Sequence, residues 1–138
     1  MSPSLPRILV DQSLGVHQIP DLFRSEGYSV TTIQDEYGQR TVPDERWLHD
    51  SGVHQWVVLT KDERIRRRPS EIHAFVKAKA RVVCLTPGSL TMAQQVEYFR
   101  VNLKRLESWW NRPGPWLLAV RGNSIEQLEL NTRALEMD

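Results

Sequence analysis

Cysteine is nearly absent: Cys84 is the single one in 138 residues. One thiol cannot close an internal disulfide, so the fold is expected to rest on burial, in a cytoplasmic setting. Long hydrophobic runs are missing too. No stretch approaches the roughly 18 apolar residues of a membrane span. The opening Met1-Ser2-Pro3-Ser4-Leu5-Pro6-Arg7 lacks the apolar region of a secretory signal. Net charge is small, since 18 Lys and Arg face 17 Asp and Glu to leave +1, which argues against a general polyanion-coating protein. His17, His49, His54 and His73 show no zinc spacing. Neither a P-loop nor a GxGxxG is present, and there are no repeats or low-complexity stretches. What remains is one globular domain's worth of chain. The expectation is a single domain over 1–138, with a core at about 7–121 and a C-terminal segment at 122–138.

The small net charge hides a split. Residues 61–81 carry eight bases against Asp62, Glu63 and Glu71, a net of +5. Residues 35–50 carry five acids against Arg40 and Arg46, a net of −3. A basic block beside an acidic one suits a polyanion bound next to a cation, and it equally suits two solvated faces.

Short apolar runs alternate with amphipathic ones. Ile8-Leu9-Val10, Tyr28-Ser29-Val30-Thr31-Thr32, Trp56-Val57-Val58-Leu59-Thr60, Arg81-Val82-Val83-Cys84-Leu85 and Trp116-Leu117-Leu118-Ala119-Val120 read as strands. Helices are expected over 14–26 with an irregular first turn at Pro20, over 43–51 ended by Gly52, over 69–79 opened by Pro69, and over 91–110. Thr91 and Gln94 fit a capping box for the last of these. Residues 34–42 read as a loop, and 122–138 as a weakly amphipathic segment. The alternation predicts an α/β three-layer sandwich around a mostly parallel sheet of four to five strands. Trp47, Trp56, Trp110 and Trp116 lie within or beside apolar runs and read as core, as does Cys84. Trp109 lies off the apolar stripe of its helix, which leaves a partner contact open.

Ligands of α/β sheets sit beyond the C-terminal ends of the strands. Asp11 ends the first strand, and Asp62 follows the third. Asp44 opens the short helix, with Trp47, Leu48 and Ser51 at i+3, i+4 and i+7, so helical geometry turns it inward. A carboxylate held there is costly unless paired or metal-bound. Each acid also has a local reading, as a turn, cap or dipole residue. Three carboxylates converging on one sheet edge would suit Mg²⁺ or Mn²⁺.

Asp11 in "RILVDQS", Asp44 in "VPDERWL" and Asp62 in "WVVLTKDERIRRRP", together with "EGYSV", resemble the acid pattern of the PIN-like nucleases. The likeness is greatest to the compact group that includes the VapC-type toxins. It runs from Arg7 to about Val120, and its most specific piece is Val58-Leu59-Thr60-Lys61-Asp62 with the basic run that follows. The resemblance implies a metal-dependent endoribonuclease, the toxin of a toxin–antitoxin pair, that hydrolyses RNA by a metal-activated water. It implies Asp11, Asp44 and Asp62 as ligands of Mg²⁺ or Mn²⁺ and as the catalytic set, with Thr60 supporting them. It also implies RNA as substrate, an antitoxin as partner, a homo-oligomer as an option within that complex, and no membrane. Larger PIN domains often carry a fourth acid near the next strand. Here residues 81–90 hold only Thr86 and Ser89, which leaves the metal count at one or two.

Lys61, Arg64, Arg66, Arg67 and Arg68 are the candidate RNA contacts: the guanidinium forks of the arginines match phosphate oxygens, and Lys61, next to Asp62, would steady developing negative charge. Two other readings stand beside the nuclease. One is an inert PIN-like module that binds RNA or protein. The other is a receiver-like phosphorylation domain. The latter needs adjacent acids after the first strand, where Gln12 and Ser13 follow Asp11, and a lysine after the last, where Arg121 stands.

Overall fold

The computed structural model describes residues 5–130 and 132. Six strands form one sheet in the order β2-β1-β3-β4-β5-β6. They are β1 (Ile8–Val10), β2 (Val30–Thr32), β3 (Val57–Thr60), β4 (Arg81–Leu85), β5 (Trp116–Arg121) and β6 (Ser124–Leu128). All neighbours are parallel except β6, which returns antiparallel along β5. Among the described residues five α-helices cover the sheet: α1 (Gln18–Ser25), α2 (Ile33–Tyr37), α3 (Asp44–His54), α4 (Pro69–Ala78) and α5 (Met92–Glu107).

Strands β1, β3, β4 and β5 are largely apolar on both sides, as a sheet buried between two helical layers requires. Their side chains alternate between two cores. Ile8, Val10, Val57, Leu59, Val83, Leu85, Leu118 and Val120 face one, with Phe23 of α1 and Phe99 of α5. Leu9, Val58, Val82, Cys84, Leu117 and Ala119 face the other, with Trp47 and Leu48 of α3 and Phe75 of α4. Trp110 closes the first core by donating its indole N–H to the Tyr28 hydroxyl, 2.7 Å away. The capping box of α5 forms from both sides between Thr91 and Gln94.

Three expectations need correction. Residues 33–37 form helix α2 instead of a loop, because the Thr32 hydroxyl accepts the Asp35 N–H and Gly38 ends the turn in the left-handed region. The sheet has six strands, not four or five: Gly122-Asn123 is a two-residue hairpin turn that sends 124–128 back along β5. Arg121 and Glu126 pair across that hairpin at 2.8 Å. Finally, Gly52 does not end α3, which continues to His54 and is closed by Gln55 in the left-handed region. Gly52 instead lets α3 pack against the end of α4. A Cβ there would stand 2.4 Å from the Ala78 carbonyl oxygen, which is backbone and cannot swing aside.

The chain order matters for the site. From β1 the chain crosses to β2 on one side and then to β3 on the other. The C-terminal ends of β1 and β3 therefore flank the point where the winding reverses, the position at which open α/β sheets bind ligands.

The Gly52 contact yields a prediction. Gly52→Ala should lose about 2–3 kcal/mol through overpacking of the helix pair. Gly88→Ala, at a position open to solvent, should stay within about 0.5 kcal/mol of the parent. Urea unfolding of both variants checks this, and equal midpoints would contradict the close approach.

Candidate active site

Asp11 is fixed by backbone and side chain alike. Its N–H donates to the Leu59 carbonyl at 2.9 Å, which continues the β1–β3 pairing one residue past the strand. Its Oδ2 accepts from Ser13 Oγ at 2.7 Å and from Thr60 Oγ1 at 3.0 Å. Thr60 is the last residue of β3 and is fully buried. Its hydroxyl also accepts the Asp62 N–H at 3.1 Å. Ser13 Oγ in turn accepts the Lys61 N–H at 3.1 Å. Two hydroxyls thus tie the end of β1 to the segment leaving β3.

Asp62 opens a 3-10 turn at Glu63–Arg66. Its Oδ1 accepts the Arg64 backbone N–H at 2.9 Å and Arg64 Nε at 3.1 Å. Burial alone would raise this carboxyl. The hydrogen bonds from Arg64 and the charges of Arg64 and Arg68 outweigh it and hold the group below the ordinary carboxylate value.

Asp44 is the first residue of α3, where the helix dipole favours a negative charge. Its Oδ1 accepts the indole N–H of the buried Trp47 at 2.9 Å. Its Oδ2 lies 3.7 Å from Arg68 Nη1. Burial is the main force that pushes this carboxyl up to about 6. The Trp47 bond opposes the rise, while the charge of Glu71, a side-chain hydrogen bond with Glu71 and the charge of Asp11 add to it. The charge of Asp11 thus reaches Asp44.

Glu71 was counted in the sequence only as an offset to basic charge. It is the third residue of α4 and is just 6% exposed. Its Oε1 accepts from Arg68 Nη1 at 2.7 Å, so one guanidinium nitrogen serves both Glu71 and Asp44. Its Oε2 is buried and, among the described residues, receives no hydrogen bond from a charged or neutral donor, while its carboxyl lies against that of Asp44. The signal available in the sequence was the spacing itself: Arg68 precedes Pro69, and Glu71 follows three residues on, in the first turn of the helix.

The candidate RNA contacts divide into groups. Arg64 and Arg68 are engaged by carboxylates of the cluster. Lys61 is half-buried, and Arg67 is exposed with no ion pair among the described residues. The side chain of Arg66 lies outside what the structure describes. Trp47, Trp56, Trp110 and Trp116 are buried, in line with a core role. Trp109 packs edge-on against Trp116 and carries the Arg112 guanidinium over its ring at 4.0 Å.

The donor set is all carboxylate, the chemistry that Mg²⁺ and Mn²⁺ prefer, and the orphaned Oε2 of Glu71 is an acceptor suited to a cation. Among the described residues, however, no three His, Cys, Asp or Glu side chains are gathered closely enough to hold an ion. Between Asp44 and Glu71, Arg68 supplies the positive charge instead. The residues fit a divalent ion by donor chemistry, and Arg68 lies beside Asp44 and Glu71.

A family model described as "PIN like domain" matches residues 6–87, from β1 through β4. A Mycobacterium tuberculosis protein named "Putative ribonuclease VapC45" is 29% identical over 124 residues, covering 88% of this chain and 90% of that protein. No solved structure matches the chain.

The raised Asp44 carboxyl has a consequence for stability. Its value of about 6 exceeds the 3.8 of an ordinary Asp, so the folded chain holds this proton more tightly than the unfolded one. The stability that protonation contributes is complete below about 3.8 and is lost as pH rises through about 6. Asp44→Asn, in metal-free buffer, should therefore raise the melting temperature at pH 7.5 by roughly 3–5 °C, about 1 kcal/mol. That gain should fade toward pH 4. Thermal melts across pH check it, and a gain independent of pH would contradict it.

Proposed function

The chain belongs to the PIN-like domain family, and on that premise we propose that it is a metal-dependent endoribonuclease, the toxin of a toxin–antitoxin pair. The observation that carries the reading is that Asp11 and Asp62 follow the strands flanking the winding reversal and are joined through Thr60. The printed name of the mycobacterial relative supports the reaction class.

In this reading Asp11, Asp44 and Asp62 hold Mg²⁺ or Mn²⁺. When bound, the ion supplies polarisation of the scissile phosphoryl group and activation of the attacking water. The protein's own work is placement. The Thr60 hydroxyl donates to Asp11 and accepts from the Asp62 N–H, so it sets the spacing of two carboxylates at once. Ser13 aims Asp11 and pins the Lys61 backbone beside it. The Trp47 indole holds one oxygen of Asp44 and leaves the other facing the cluster. No histidine or serine nucleophile is required.

Lys61, Arg66 and Arg67 take the flanking RNA phosphates, while Arg64 and Arg68 first balance the carboxylates and meet RNA only as that balance changes. The whole chain, 1–138, acts as one nuclease domain. An antitoxin covers the carboxylate edge, its acidic side chains meeting the basic run after β3, and homo-oligomers form within that complex. No helix among the described residues is long and apolar enough to cross a membrane, and the proposed site of action is the cytoplasm, where the RNA is.

The test is cleavage of single-stranded RNA by the purified chain in Mn²⁺. Asp11→Asn and Asp62→Asn should each lower the rate by about 100-fold or more, the scale on which losing one charge-stabilising element acts. Both variants should keep the parent's circular dichroism, and EDTA should stop the reaction. Cleavage that persists in EDTA or in Asp11→Asn would contradict the mechanism. RNA binding without cleavage by the parent would favour the inert module.

A further inference from the structure

The edge of the sheet opposite the carboxylates is built from residues that lead into the strands and from the ends of three helices. Arg7 precedes β1, His54 and Gln55 close α3 ahead of β3, Lys79 caps α4, and Arg81 opens β4. Residues 111–115 run from the end of α5 into β5. Two adjoining hollows of about 320 and 240 Å³ open there, and Arg81 lines both. Lys79 and Arg112 line the first beside it, and Arg7 and His54 line the second. Among the described residues neither hollow is lined by an Asp or Glu. Within the same limits Lys79, Arg81 and Arg112 form no ion pair, and Arg7 reaches Glu36 only at 3.8 Å. Part of this charge has a local use. The C-terminal ends of helices leave carbonyls that favour cations, and Arg81 donates to those of Gln55 and Trp110. One guanidinium meets that need. Burial alone holds the pKa of Arg81 below the ordinary arginine value, with no carboxylate to offset it. Lys79 and Arg112 add two further exposed charges to a hollow that already holds one. Their spacing is fixed, because a Cβ at Gly114 would strike the Lys79 carbonyl, so the loop 111–115 lies directly on the end of α4.

Resting on the nuclease reading, we propose that this edge is a second RNA contact surface, where phosphates remote from the scissile one meet Lys79, Arg81 and Arg112. A concave surface lined by one sign of charge concentrates the opposite sign, and a polyanion gains most from it. Flat side chains beside the charges favour RNA over an acidic polypeptide. The Arg112 guanidinium lies over the Trp109 ring at 4.0 Å, and the His54 ring stacks on Trp56 with centroids 4.8 Å apart. Arg112 and His54 are both exposed, so each offers a flat outer face. Unpaired bases stack on such guanidinium and aromatic planes, whereas an acidic side chain uses the charge alone. The two edges are close enough for one RNA. Strands β3 and β4 have four and five residues, so roughly 13–17 Å of sheet separates them. An RNA held at both edges binds the second as an intramolecular event, which strengthens capture without any new contact at the carboxylates.

The test is fluorescence anisotropy of a labelled stem-loop RNA with the purified full chain in EDTA, which needs no turnover, repeated over a range of salt. Lys79→Asn with Arg112→Gln removes two charges at exposed positions, and Asn suits the left-handed backbone of Lys79 (φ 54°). Arg81 is left in place because it caps two carbonyls. The double variant should bind about tenfold more weakly at low salt, and its salt slope should fall by about 1–2, as for two lost phosphate contacts. Arg100→Gln with Lys104→Gln removes the same charge from the exposed side of α5 and should leave both quantities near the parent's. A Lys79/Arg112 variant with parental affinity and slope, or one that loses no more than the α5 control, would overturn the assignment. So would parental RNA binding joined to a loss of poly-glutamate binding, which would give the edge to an acidic protein instead. Cleavage of the same RNA in Mn²⁺ separates this surface from the nuclease reading. If the parent binds the RNA through Lys79 and Arg112 but does not cut it, the nuclease reading falls and the surface stands. If the parent cuts it and the double variant binds as the parent does, only the surface falls.

Discussion

Carboxylates crowded at a partly desolvated sheet edge need a positive charge, and much of this molecule is arranged around that need. Asp44 is pushed up to about 6 by burial and by the charges of Glu71 and Asp11. Asp62 escapes the same fate because Arg64 bonds it twice and the charges of Arg64 and Arg68 stand near it. Arg68 serves Asp44 and Glu71 with a single nitrogen. A structure that needed only stability would replace such a cluster with apolar groups, since buried ion pairs seldom repay their desolvation. Keeping four acids here, with two arginines to restrain them, fits an edge whose charge is spent on a ligand.

The fold supplies the geometry for this. Strands buried on both faces hold β1 and β3 side by side, and the winding reverses between them. Asp11 follows one strand directly, Thr60 ends the other, and the hydroxyl between them fixes the distance. Helices α3 and α4 then bring Asp44 and Glu71 to the same edge from the second layer. Their close packing at Gly52 against the Ala78 carbonyl sets how near the C-terminal ends of the two helices come.

Much of this could be read in the sequence, for physical reasons. A central parallel strand must be apolar on both sides, so Ile8-Leu9-Val10 and Val82-Val83-Cys84-Leu85 stand out from their polar flanks. Asp11 and Asp62 are legible because a charge directly after such a run has to lie at a strand end. Asp44 is legible from the apolar residues that share its helix face. Gly52 misled because a glycine late in a helix gives one signal for two causes, termination and close approach. β6 is largely exposed, so its only marks are the Gly122-Asn123 turn and a faint alternation. Glu71 stayed hidden because its burial depends on how α4 packs, and within a run of bases it looks like an ordinary solvated acid.

The central claim is that these acids form one cation site. Anomalous diffraction from a crystal of the chain soaked in Mn²⁺ tests it most directly. The account predicts a single strong peak with oxygens of Asp11, Asp44 and Asp62 at about 2.0–2.6 Å. Saturating Mn²⁺ that leaves no peak at the ends of β1 and β3 would contradict it.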